Sequence, residues 1–548
     1  MVDVLLAHAY YLKNDPKQLQ KMRPYPPLAT LYAAANLRAA GYSVALFDAM
    51  LAEGEPEFAA ALEQHRPRIV ALYDDNFNFL SKMCLGRVRE AAARMSRMAR
   101  DYGAIVLAAG SDASDHPAAY FAHGVQVALV GEPDHTLREV VAALLGERGE
   151  RGDKETRRQG DEETRRRGDN SRKTPLPTDK GSPALPVSFS SDLLVSLSSI
   201  AGLALPDSSA PEGLRYTARR ATERHPDVFP APAWDLVDME RYRAAWVQAH
   251  GYFSLNMVST RGCPFHCNWC AKPIWGQRYA MRSPEAVADE LALLKHTYRP
   301  DHIWFADDIF GLRPQWVAAF GRAVAERNAA VPFMIQSRVD LMTDEAVIGL
   351  KQAGCVEVWM GAESGSQQIL DAMEKGTNVA EIGAARTRLG AAGIRACFFI
   401  QLGYPGESFA EIMATVQLVR DCLPDNIGVS VSYPLPGTRF HSMVGGQLGA
   451  KTHWDDSDDL AMMFEGAYSS RFYRHMHRLL HRELEVRKQI AAPDLQSAND
   501  QLQAAIDQLA ADWLELGRLE VSERSAAPTM LPLRAGRIAA PDLSREYN

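Results

Sequence analysis

The sequence predicts an α/β protein in three parts: an N-terminal doubly wound parallel sheet, a partial (β/α)6 TIM-like barrel, and a helical C-terminal part. Three observations carry that expectation. Across residues 1–146, short apolar runs alternate with stretches of helical spacing, the pattern of buried parallel strands joined by helices. Across 255–432 the same alternation gives six β/α units, enough for part of a barrel. Beyond 440 only the helical period persists.

The first strands are read at 4–7, 44–47, 69–73, 105–109 and 127–130, short uniform apolar runs suited to burial on both faces. Helical spacing fills 28–40, 56–65 and 80–100. Ligands of open α/β sheets lie beyond the carboxyl ends of the strands. The loops at those ends are Asp74-Asp75-Asn76, Gly110-Ser111-Asp112 and Gly131-Glu132-Pro133. Glycine at such a position lets backbone approach a ligand closely, or simply makes the turn.

At 147 the composition breaks. Gly152-Asp153-Lys154-Glu155-Thr156-Arg157-Arg158-Gln159 is nearly repeated from Gly160, and a third copy begins at Gly168-Asp169. Two copies are too few for a solenoid, and so polar a repeat has no face to bury. Ten basic and eight acidic residues interleave between Glu147 and Lys173, which favours a solvated spacer over an RNA-binding arm. Residues 147–197 are therefore expected to be a disordered insertion, and 198–245 a connector stiffened by the prolines of Phe229-Pro230-Ala231-Pro232. The domains expected are thus 1–146, the barrel at 246–440, and 441–548, with a loose tail from Ala526.

Barrel strands are read at 255–259, 302–305, 333–336, 357–361, 397–402 and 426–432, with helices at 284–298, 314–327, 344–353, 379–392 and 407–422. Barrel chemistry belongs at the carboxyl ends of the strands. There the first strand runs into Arg261-Gly262-Cys263-Pro264-Phe265-His266-Cys267-Asn268-Trp269-Cys270. Three thiolates at C-x3-C-x2-C fall within reach of one inorganic centre, and iron–sulfur clusters are held at such spacings. A 4Fe-4S cube with three protein ligands keeps one iron open for a small molecule. The competing readings are a zinc knuckle, a disulfide or three buried thiols. Structural zinc asks for four ligands, usually paired C-x2-C units, and the sequence has no second pair.

Cys84, Cys355, Cys397 and Cys422 lie in apolar contexts and read as small buried hydrophobes. The stripes Phe472, Met476, Leu479, Leu480 and Leu502, Ile506, Leu509, Trp513 read as packing faces. Trp454, Phe464, Tyr468, Phe472 and Tyr473 read as core, with cover for an apolar substrate as the second reading. A net charge of −8 points away from nucleic acid. Seven cysteines, an odd number, argue against a disulfide framework and for a reducing compartment. No apolar run approaches the roughly 18 residues of a membrane span, and the first residues lack a basic signal-peptide start. A soluble cytoplasmic protein is expected.

With Trp269 before its last cysteine, the cysteine motif resembles that of radical S-adenosylmethionine (SAM) enzymes. Further matches are Phe305-Ala306-Asp307-Asp308, Gly361-Ala362-Glu363-Ser364-Gly365, Gly403-Tyr404-Pro405-Gly406-Glu407 and Pro434-Leu435-Pro436-Gly437-Thr438. With an α/β domain ahead of the barrel, Pro26-Pro27-Leu28 entering its first helix and Gly131-Glu132 near its end, the chain resembles the cobalamin-binding branch. That branch includes the anaerobic magnesium-protoporphyrin IX monomethyl ester cyclase-like enzymes and class B methyltransferases.

The resemblance implies that Cys263, Cys267 and Cys270 hold a 4Fe-4S cluster whose open iron takes the amino and carboxylate groups of SAM. One electron would then split the sulfonium bond into methionine and a 5′-deoxyadenosyl radical. It implies cobalamin on the N-terminal domain, with Gly110, Gly131 and Glu132 at that site, and reduced flavodoxin or ferredoxin as electron donor. Asp307 or Asp308 would accept from the SAM ammonium, unless the pair only caps the following turn. Glu363 would accept from the ribose, and Trp269 would face the adenine. Arg338 would pair with the methionine carboxylate, or else form an ordinary salt bridge with Asp340 or Glu363. Gly403, Gly406 and Glu407 would shape a turn, with Glu407 in the first turn of the next helix.

One departure concerns the cobalt. The motif D-x-H-x-x-G after the first strand, which supplies a lower-axial histidine, is absent, and Asp115-His116-Pro117 has the wrong spacing. Cobalt without a histidine from that motif is expected. The implied function is methylation of an unactivated carbon of a small molecule, such as a lipid or tetrapyrrole. The alternatives are a radical cyclase or rearrangement, or an iron–sulfur electron carrier or redox sensor. A tRNA methylthiotransferase is set aside, because it needs three more cysteines and only Cys84 precedes Cys263.

Overall fold

Strand β1 (Val4–Ala7) is flanked by β2 (Val44–Phe47) on one side and by β3 (Ile69–Tyr73), β4 (Ile105–Ala109) and β5 (Val127–Leu129) on the other, all parallel. The computed structural model describes residues 1–77, 86–146, 190–210, 213–272, 274–449, 460–491 and 499–524. These form two compact units that change over at residue 245. The charged repeat over 147–189, Cys84, Trp454 and the tail from 525 lie outside the described residues.

In the first unit, β1 and β3 are buried along their whole length, as uniform apolar runs demand. Strand order reverses between β1 and β3, so the ligand crevice of such a sheet opens at their carboxyl ends. Two strands were not expected. β6 (Leu203–Pro206) and β7 (Leu214–Tyr216) add antiparallel beyond β5, from residues the sequence presents as connector. They cover an edge that the three-residue β5 would otherwise leave open. Ser191–Ser199 is helical although the expected insertion runs to 197. Ser190 caps it through Leu193 N–H, and Leu197 is fully buried, so packing overrides the serine-rich composition.

In the second unit, β8 (Ser254–Met257), β11 (His302–Phe305), β12 (Phe333–Ser337), β13 (Cys355–Glu363), β14 (Arg395–Leu402) and β15 (Asn426–Val431) form one parallel sheet in sequence order. This is the partial barrel the alternation predicts, since each strand adds beside its predecessor through a helical crossover. Phe305, Phe310, Phe320 and Phe333 cluster edge-to-face inside it. The short hairpin of β9 (Thr260–Arg261) and β10 (Ala280–Met281) was not anticipated. Helices Ser470–Ala491 and Asn499–Arg524 complete the unit. Buried Glu483 accepts from Arg420, Arg487 and Trp513, which fastens both helices to Phe409–Cys422. Among the described residues no helix is long and apolar enough to cross a membrane.

Candidate active site

The cysteine loop hangs from the carboxyl end of β8 and is gripped at its root by the β9–β10 hairpin. Gly262 sits at φ +77°, and a Cβ there would run into the Arg278 carbonyl, so only glycine admits this close strand approach. Asp307, just past β11, closes the root from the other side. One carboxylate oxygen accepts from Ser259 N–H and Thr260 N–H, both at 2.8 Å, and the other from Ser259 Oγ at 2.6 Å. Burial pushes its pKa up to about 6 against those hydrogen bonds. Asp307 thus braces the turn at the root of the loop. Asp308 is exposed, and its charge is among those that raise the thiols of Cys263 and Cys270.

Asn268 is the loop's anchor. Its N–H donates to Met373 O at 3.1 Å and its side-chain amide to Ala372 O at 2.8 Å. In turn it accepts from Tyr404 Oη at 3.1 Å and, through its carbonyl, from Phe440 N–H at 2.9 Å. Four hydrogen bonds on one residue between Cys267 and Cys270 hold the loop in shape. Asn268 and Tyr404 carry no residue chemistry that marks them in sequence; their place inside the cysteine motif and inside Gly403-Tyr404-Pro405 is the only signal of their role.

All three loop cysteines are free and half-buried. Burial pushes Cys270 up to about 12 and raises Cys263, with Lys272 pulling both back. Such thiols ionise readily only when a metal replaces the proton. Among the described residues no three His, Cys, Asp or Glu side chains converge on one ion. Thiols spread around a loop suit a cube, in which each thiolate takes its own iron. Cations surround them: Lys272 Nζ reaches the Phe265 carbonyl, Arg338 Nη1 lies 3.9 Å from Cys267 Sγ, and Lys375 Nζ stands 5.9 Å from the Trp269 ring. The donor set therefore fits a thiolate-bound anionic cluster. Trp269 Nε1 is buried with no partner among the described residues.

Arg338 turns its fork to Asp340, at 2.9 and 3.1 Å, which is the salt-bridge arrangement. Glu363 ends β13 beside a register shift, at a strained φ of +60°. It pairs at 2.8 Å with Lys375, a buried lysine that no motif marks. Burial alone would lower Lys375, yet the charges of Glu363 and Cys267 outweigh it and the net shift is upward. Glu407 precedes the helix instead of entering it: Ser408 is the N-cap, with a capping box to Glu411. Tyr468, Phe472 and Tyr473 are buried core, with Tyr468 stacked on Phe472 at 4.2 Å. Cys355 and Cys397 are buried, whereas Cys422 is only half so.

The carboxyl edge of the first unit's sheet holds a second cluster. Asp75 accepts from Ala29 N–H at 3.0 Å, at the start of helix Leu28–Ala39. Asp74 is buried, and desolvation raises its pKa to about 6. Gly110 faces Asp74, whose Cβ would touch any added methyl, so the space there is taken by protein. Gly131 at φ +79° faces open space, and Glu132 beside it is buried. Asn76 Oδ1 and Ser111 Oγ are buried without hydrogen-bond partners among the described residues. Such orphans at strand ends fit a polar ligand along this edge. His8, missed in the sequence, follows β1 with Nε2 2.9 Å from Asp48 Oδ1, and Tyr242 Oη donates to Asp48 Oδ2 at 2.7 Å.

Residues 257–419 match the radical SAM superfamily. This chain contains a radical SAM domain. An uncharacterized methyltransferase of Pyrococcus horikoshii is 31% identical over 216 residues, 39% of this chain and 46% of that protein. The anaerobic magnesium-protoporphyrin IX monomethyl ester cyclase of Rubrivivax gelatinosus is 24% identical over 257 residues, 45% of this chain and 46% of the cyclase. The match thus spans about half the length of these curated relatives. Among solved structures, the cobalamin-dependent SAM radical enzyme OxsB, with aqua-cobalamin bound, gives a TM-score of 0.62 over 96% of this chain and 81% of its own, at 15% identity. The radical SAM methyltransferase TsrM from Kitasatospora setae, with cobalamin and a 4Fe-4S cluster bound, gives 0.58 over 82% and 76%, at 17% identity. At those identities the likeness establishes the fold: an α/β unit, a radical SAM partial barrel and a helical C-terminal part.

Proposed function

We propose that this chain cleaves SAM reductively to a 5′-deoxyadenosyl radical and, with cobalamin, methylates an unactivated carbon of a small organic substrate. The observation that carries the reading is the loop of three free thiols at the end of β8, with the Arg338 guanidinium 3.9 Å from Cys267 Sγ. When bound, a 4Fe-4S cluster supplies an open iron for the amino and carboxylate groups of SAM and the electron that parts sulfur from carbon; cobalamin supplies a methyl-carrying cobalt. The chain's own residues bind and orient. Cys263, Cys267 and Cys270 are the cluster ligands. Exposed Asp308 accepts from the SAM ammonium in a charge-assisted hydrogen bond, while buried Asp307 is engaged by three donors of the loop root. Glu363, aimed by its strained backbone, accepts from the ribose, and Trp269 gives the adenine an apolar face.

In the first unit, Asn76, Ser111 and the open face of Gly131 are the groups that would receive cobalamin, with Glu132 beside them. This unit offers no D-x-H-x-x-G histidine that would ligate a cobalt held there. A one-electron donor such as reduced flavodoxin or ferredoxin serves the cluster. The names of the similar proteins, a methyltransferase and a cyclase, favour methyl transfer and keep radical cyclisation as the second reading. The test is anaerobic incubation of the reconstituted protein with SAM and dithionite. 5′-Deoxyadenosine is expected, and none from a fully loaded cluster would leave an electron carrier. Comparing metabolites of cells with and without the protein then separates the two enzyme readings, since transfer puts a methyl in place of a hydrogen and so adds the mass of one CH2, and cyclisation does not.

A further inference from the structure

We infer that Arg338, backed by Lys375, sets the reduction potential at the cysteine loop by donating to Cys267 Sγ and placing fixed positive charge beside it. The inference rests on the cluster reading above. Arg338 is 5% exposed, and four of its five N–H bonds are directed at partners of different kinds. Nε and Nη2 are held by Asp340. Nη1, the edge turned away from that carboxylate, donates to Lys375 O at 2.9 Å and reaches Cys267 Sγ at 3.9 Å. The guanidinium also lies over the Phe265 ring at 3.7 Å, two residues before Cys267. Clamped on three sides, the group has no freedom to turn its fork toward a ligand. What it presents is one N–H and a charge, aimed at sulfur.

Lys375 reinforces it. Its carbonyl fixes Nη1, and its ammonium, 6% exposed at the side chain, lies between Glu363 and the Trp269 ring. Each cation has a carboxylate partner, Asp340 for Arg338 and Glu363 for Lys375. Iron–sulfur potentials follow net charge and hydrogen bonds to the sulfurs. A cube held by three thiolates is already anionic, and the single electron that reduces it adds one further negative charge. A buried cation and a sulfur-directed N–H favour that electron, so removing them makes reduction harder.

The experiment is an EPR-monitored redox titration of the full-length protein, anaerobically reconstituted with iron and sulfide and reduced stepwise with dithionite or titanium(III) citrate. Arg338→Gln is expected to move the midpoint to more negative potential, and Lys375→Met to do so by less. Asp340→Asn, which leaves Arg338 in place but uncompensated, is expected to move it the opposite way. A merely structural role would not produce opposite signs. Equal midpoints in Arg338→Gln and Asp340→Asn at wild-type iron content would overturn the inference and leave the cluster reading intact. Wild-type protein that holds no cluster would overturn both. Should Arg338→Gln fail to load iron, the sign of the Asp340→Asn shift alone decides: positive upholds the inference, and zero or negative defeats it.

Discussion

Replacing Glu407 with Gln removes one proton from the stability of the second unit. Glu407 is fully buried after β14; one oxygen accepts from Gly403 N–H at 2.5 Å, and the other has no partner among the described residues. Burial pushes its pKa from 4.5 up to about 8, with the Gly403 hydrogen bond opposing. The folded value lies above the unfolded one, so the folded state keeps a proton that the unfolded chain releases. Stability from this group is full below pH 4.5 and is lost as the pH climbs to about 8. At 1.36 kcal/mol per pH decade, the whole interval amounts to about 5 kcal/mol, of which about 3 kcal/mol is gone by pH 7. Gln keeps an acceptor for Gly403 and cannot ionise. Urea unfolding of both proteins from pH 5 to 8 should therefore show the variant gaining about 3 kcal/mol on the wild type across the window. Parallel stability curves would refute the reasoning, because they would mean that Glu407 releases its proton equally easily folded and unfolded.

Gly262→Ala forces a side chain into left-handed backbone against the Arg278 carbonyl; iron and sulfide bound after reconstitution should fall by about half or more, while far-UV circular dichroism stays unchanged. Asp307→Ala strands three donors at the loop root. At about 1–3 kcal/mol for each unsatisfied group, the thermal midpoint should drop by roughly 6 °C or more, and an unmoved midpoint would show the brace to be idle. Asn268→Ala frees the loop from Ala372 and Tyr404, so amide exchange of the apoprotein should speed up about tenfold or more over 263–270 for a loss of about 1.4 kcal/mol.

Both sheets were legible in the chain because parallel strands buried on two faces leave uniform apolar runs, and their helices keep a separate period. The cysteine loop was legible for a related reason: its three thiols lie seven residues apart at most, so spacing alone puts them on one loop. The antiparallel strands β6 and β7 were not, since a strand that only covers an edge needs little apolar sequence of its own. Side-chain roles divided along the same line. Asp307 and Asp308 are adjacent in sequence and chemically alike, yet one is walled in by three donors and the other is exposed. Arg338 stands out in sequence as an arginine at a strand end, but its partners lie two, thirty-seven and seventy-one positions away. Lys375 carries no motif at all, and only the fold brings it to Glu363 and Trp269. Local order in the chain determined which residues form strands and which thiols gather; long-range packing decided which charges those thiols face, because electrostatics depends on distance through space and not along the backbone.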